Sequence, residues 1–118
     1  MTSADWEAEA FALCQRILYQ HLDTSQYGVF LFGSRARGTA RRNSDIDIGI
    51  IGKQPLPWLL IEDIQEIMEE SDLLYEVDLV DFSQLNDPAF KRFALNNIVW
   101  WNQPAGISVS NLLNLPGQ

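Results

Sequence analysis

Residues 33–49, GSRARGTARRNSDIDIG, decide how this chain is read. Gly33 follows an apolar run and permits a tight turn with the backbone close to a ligand. Ser34 adds a hydroxyl and an N–H. If Ser34 opens a short helix, the first N–H groups of that helix are unpaired and lie at the positive end of its dipole, where phosphate binds. Arg35 and Arg37 can add charge-assisted hydrogen bonds to phosphate oxygens, and Gly38 can close the turn. Arg41 and Arg42 extend a basic island of four arginines in eight residues, with no acid among them. Asp45 and Asp47 then stand two apart in a β-like apolar run, which on a strand puts both on one face. Two carboxylates so placed repel each other unless a cation lies between them. Magnesium fits this need, because it is hard, prefers oxygen ligands and commonly takes one or two carboxylates plus substrate phosphates. Two metals held about 4 Å apart could activate an attacking hydroxyl and steady a leaving pyrophosphate.

Outward from this stretch the chain alternates between two periods. Tyr27 to Phe32 is rich in β-branched and aromatic residues and reads as a buried strand, with a second from Asp45 to Ile51. The two are close in sequence and are expected to pair. Upstream, Trp6, Ala10, Leu13, Cys14, Ile17, Leu18 and His21 recur at helical spacing, giving a helix from about Ala4 to Leu22. Ser3 can cap it, and Asp5 and Glu7 suit its N-terminal end. Cys14 falls on the apolar face and reads as core, and His21 as a packed or rim histidine. Downstream, Pro55 and Pro57 open a helix over Trp58 to Ser71. Leu60, Ile61, Ile64, Ile67 and Met68 form its inner stripe, and Glu62, Asp63, Glu66, Glu69 and Glu70 a solvated face. A third strand covers Tyr75 to Phe82. Asp87 and Pro88 start a last helix running to Asn96, and Ile98 to Trp101 forms a short final strand. Adjacent Trp100 and Trp101 face opposite ways if extended, so one of them is a candidate interface residue.

The expected architecture is an α/β (α+β) domain, a small mixed sheet of three to four strands with helices packed on one side. It occupies residues 1–103. The uncharged segment 104–118 is expected to be loose or docked on a partner. A third carboxylate would complete a two-metal site, and the third strand offers Asp78 and Asp81. These lie three apart and face opposite sides of a regular strand, so only one can join Asp45 and Asp47. Periodicity does not choose between them, and Glu76 shares the parity of Asp78.

Composition narrows the function. A chain of 118 residues that is 47% hydrophobic fits one globular domain. Its net charge of −8 argues against binding long nucleic acid. The basic island within that acidic average asks instead for an anion the size of a phosphate chain. No apolar run approaches the roughly 20 residues of a membrane helix. With no secretory pattern and one cysteine, the expected location is the cytoplasm.

Gly33-Ser34, ten residues, then Asp45-x-Asp47 resembles the signature of the DNA polymerase β-like nucleotidyltransferase superfamily. With the arginines and the short length, the chain looks most like the minimal nucleotidyltransferases, the MNT antitoxins, over nearly its whole extent to about Trp101. The third acid of that family lies in a pattern like Val77-Asp78-Leu79-Val80, so the resemblance selects Asp78. It implies a nucleotidyltransferase fold, Mg2+ as cofactor, ATP as substrate and a HEPN-domain toxin, an RNase, as partner. The implied activity is AMP transfer to a tyrosine of that toxin, which silences it. Asp45, Asp47 and Asp78 would be the metal-binding and catalytic set, with Gly33 and Ser34 on the β- and γ-phosphates and Arg35 and Arg37 beside them. A domain this short leaves no residues for the acceptor-presenting domain of larger relatives, so the acceptor is expected on another chain. The alternative is a non-catalytic module that neutralises its partner by occlusion.

Overall fold

The structure is a computed structural model describing residues 2–110. Its elements follow in the order α1 (Ser3–His21), β1 (Tyr27–Phe32), α2 (Ser34–Arg37), β2 (Ile46–Gly52), α3 (Trp58–Glu70), β3 (Val77–Asp81), α4 (Pro88–Leu95) and β4 (Val99–Asn102). The four strands form one mixed sheet in the order β3-β2-β1-β4. β1 runs antiparallel to both β2 and β4, and β2 runs parallel to β3. Parallel neighbours need a crossover, and α3 supplies it. The expected pairing of the two central strands holds, with Phe32 opposite Asp47 and Phe30 opposite Gly49.

Strand alternation divides the apolar residues into two cores. Val29, Leu31, Ile46, Ile48, Ile50 and Leu79 pack against Cys14, Ile17 and Leu18 of α1 and Ile64 and Met68 of α3. Each fully buried aliphatic side chain contributes about 1.5–3 kcal/mol, so this layer carries much of the stability. On the opposite face, Phe30, Phe32, Ile51 and Phe82 gather with Ala94 and Leu95 of α4. The rings of Phe30, Phe32 and Phe82 meet edge-on or tilted, with centroids 5.0–6.2 Å apart, a favoured aromatic geometry. Helices α1 and α3 thus lie on one side, as expected, and α4 covers part of the other. That second face is the one carrying Asp47, because it is paired with Phe32.

Three local expectations change. Thr2, not Ser3, caps α1, in a reciprocal capping box with Asp5. Trp100 packs on Phe30 and Trp101 on Phe11, on opposite faces, and both are part-buried. The segment after residue 103 is not loose at its start: Ile107 is buried in the phenylalanine cluster, with Val109 against it. Its apolar side chains had a core to join that sequence pattern does not display. Residues 111–118 of the expected tail lie outside the described residues.

Candidate active site

The turn after β1 is built as the sequence predicts. Gly33 has φ 75° and ψ −156°, a conformation essentially confined to glycine. Its carbonyl accepts from the N–H groups of Ala36 and Arg37 at 3.2 and 3.1 Å, closing one turn of helix. Gly38 ends that turn in the left-handed conformation, donating to the Ser34 carbonyl. The N–H groups of Ser34 and Arg35, first in the turn, have no intrahelical acceptor. Gly33 also serves the neighbouring strand: a Cβ there would collide with the Asp47 carboxylate. The Gly33 turn and the Asp47 carboxylate are therefore in close contact.

Asp47 is half-buried on β2, and Asp78 lies beside it in register on β3. Registered residues of parallel strands point to the same face, so Asp78 joins Asp47. Asp81 does not: its carboxylate accepts from the backbone N–H of Leu56 and Ser83 and from the Gln84 amide, at 2.9–3.0 Å, away from this face. Asp45 is exposed and sits one residue before β2 begins, not on the strand as expected. The strand starts at Ile46 because its N–H donates to the Glu76 carbonyl at 2.9 Å, leaving Asp45 in the preceding loop. Burial pushes the Asp47 pKa up from 3.8, with the charges of Asp78 and then Asp45 acting in the same direction, while Arg37 and Arg35 oppose them. The three carboxylates thus share one electrostatic neighbourhood.

All the donors are oxygen, and one is a part-buried carboxyl held against its neighbours' charge. That chemistry fits a hard divalent cation, which would relieve the repulsion. Among the described residues no group of three or more His, Cys, Asp or Glu side chains lies close enough to hold one ion unaided. Magnesium commonly completes its shell with substrate phosphate oxygens and water.

The four arginines divide. Arg37 is exposed, with its guanidinium 5.2 Å from the Phe93 ring centroid. Arg41 and Arg42 are exposed in the loop before Asp45. Arg35, expected on phosphate, has a side chain only 4% exposed and pairs with Glu7 of α1 at 2.6 Å. It also donates to the carbonyls of Ser44 and Arg42. These contacts turn the guanidinium toward α1 and the loop before Asp45. Nothing in sequence spacing signals the partner, which lies 28 residues away. The histidine is peripheral as expected, His21 Nδ1 lying 2.8 Å from the Ile17 carbonyl.

Residues 15–101 match the nucleotidyltransferase domain family. The chain belongs to that family. This nucleotidyltransferase domain is also similar to the "Probable protein adenylyltransferase MntA" of Haemophilus influenzae, at 37% identity over 83 residues, which is 70% of this chain and 71% of that protein. Solved structures share its fold. A toxin–antitoxin complex with AMP-PNP aligns with a TM-score of 0.60 at 22% identity, covering 85% of this chain and 77% of that one. The MNT antitoxin bound to a tri-AMPylated HEPN toxin of Shewanella oneidensis aligns at 0.60 and 19% identity, covering 83% and 73%. Among the described residues of the nucleotidyltransferase domain, no helix is long and apolar enough to cross a membrane.

Proposed function

We propose that this nucleotidyltransferase domain moves AMP from ATP to a hydroxyl of a partner HEPN-domain toxin, a tyrosine, and so acts as an antitoxin. The observation that carries the reading is the contact between the Gly33 turn and the Asp47 carboxylate, with Asp78 in register beside it. The similarity to a protein adenylyltransferase and to toxin-bound antitoxins supports the acceptor. The turn at Gly33 and Ser34 binds the β- and γ-phosphates, and Arg37 adds charge from the exposed side. Asp45 and Asp47, with Asp78, would hold magnesium, which supplies charge neutralisation on the phosphates when bound. Asp78, the more exposed of the registered pair, orients the incoming hydroxyl and accepts its proton. The hydroxyl oxygen bonds to the α-phosphorus, the bond from that phosphorus to the bridging oxygen breaks, and pyrophosphate leaves. ATP as donor is consistent with a cytoplasmic site of action.

Incubation with α-labelled ATP, magnesium and the partner HEPN protein tests the reading. Label should appear on the partner and disappear with Asp47→Asn. Absence of transfer by the wild type, or an Asp47→Asn variant that labels as well as the wild type, would overturn it.

A further inference from the structure

Arg35 is placed to hold the site together. Its Nε and one terminal nitrogen both donate to the Ser44 carbonyl, at 3.1 and 2.6 Å. That terminal nitrogen also reaches the Arg42 carbonyl at 3.4 Å, and the other meets Glu7 Oε2 at 2.6 Å. The guanidinium carbon lies 4.4 Å from the centroid of the Tyr75 ring. One side chain thus ties together the phosphate turn on which it stands, the loop that delivers Asp45, helix α1 and the segment leading into β3. Ser44 immediately precedes Asp45, and Glu76, next after Tyr75, accepts the first strand hydrogen bond of Ile46. The two loops that aim Asp45 and Asp78 are therefore anchored to one planar cation.

We infer that Arg35 is a positioning residue, which fixes Asp45 relative to the Gly33 turn and does not bind the nucleotide. A guanidinium in this role needs its fork of donors, not only its charge. A lysine keeps the charge and cannot hold two carbonyls and a carboxylate in one plane. The exposure of Asp45 makes such a clamp necessary, because a carboxylate outside the strand ladder is otherwise free to swing. This rests on the nucleotidyltransferase reading for its consequence, but the clamp itself can be measured without turnover.

The test uses Arg35→Lys and, on the other side of the ion pair, Glu7→Gln. Hydrogen exchange of the amides from residue 41 to residue 46 should speed up by about tenfold or more in Arg35→Lys, while the amides of β1 keep their protection. Partners that orient metal ligands typically change metal affinity or activity by about 10–100-fold when lost. The magnesium concentration for half-maximal AMP transfer should therefore rise by about that factor, with KM for ATP at saturating magnesium unchanged. Glu7→Gln should shift both readings the same way, more weakly, and it carries the test if Arg35→Lys does not fold. Unchanged exchange in the 41–46 segment overturns the inference, as does a raised KM for ATP with an unaltered magnesium requirement, which would put Arg35 on phosphate. If the wild type transfers no AMP, the activity reading fails and the exchange measurement still decides the clamp.

Discussion

Gly33 meets two demands at once, and each forbids a side chain. Its φ and ψ are essentially glycine-only, a strain of about 1–3 kcal/mol for any other residue. A Cβ would also push the Asp47 carboxylate away. Gly33→Ala should lower the unfolding free energy by roughly that amount in urea, and should cost more activity than the lost stability explains. Asp47→Asn should separate the two properties. Burial and the charges of Asp78 and Asp45 raise the pKa of Asp47, so the folded chain binds that proton more tightly than the unfolded one. Stability contributed by this group is therefore greatest at low pH and is lost as pH rises above the ordinary 3.8 through the higher folded value. Without magnesium, the wild type should fall progressively below Asp47→Asn in melting temperature over that rise, and the two should converge in acid. The same variant should lose at least about a hundredfold in AMP transfer, the scale of removing one preorganised electrostatic group. Lys91 makes a further test at this scale. It is 1% exposed, and among the described residues its side-chain nitrogen has no hydrogen-bond partner. An unsatisfied buried polar group costs about 1–3 kcal/mol or more, so Lys91→Met should raise stability by an amount of that order in denaturant titration.

At the scale of elements, much of the fold could be read from local chemistry. Periodicity located α1, α3 and all four strands, and Asp87-Pro88 marked α4, whose side-chain cap to the Phe90 N–H is formed at 3.0 Å. Asp87→Ala should cost about 1 kcal/mol, measurable by urea unfolding, and leave AMP transfer by the folded protein unaltered. Apart from the cap of α1, the readings that changed depend on contacts distant in sequence. Asp45 leaves the strand because β3 begins pairing at Ile46. Arg35 is drawn into an ion pair by Glu7, which comes in from α1. The choice between Asp78 and Asp81 turns on which face of β3 meets Asp47, and the register answers it. A local pattern states which residues share a face of one strand. Only the pairing says what that face meets.

For the whole molecule, the sheet separates a structural layer from a chemical one. The α1 and α3 side is a closed aliphatic core, while the other side carries the aromatic cluster, with Asp47 and Asp78 on the same face. Cys14 lies in the closed core with no exposure, and burial pushes its thiol from 9.0 to about 12. The thiolate is the reactive species, so alkylation near neutral pH requires the core to open. Cys14 labelling should then report opening of the whole fold, becoming rapid only under denaturing conditions. The proposed nucleotide site is on the opposite layer, and binding to the folded state alone stabilises it by about 2.7 kcal/mol when ligand is at 100 times its Kd. With reclosing faster than labelling, magnesium and ATP at that level should slow Cys14 alkylation about a hundredfold. An Asp45→Asn/Asp47→Asn variant should show no such protection. Equal protection in that variant would mean that the nucleotide binds without the carboxylates, and would separate the phosphate turn from the acidic pair as independent sites.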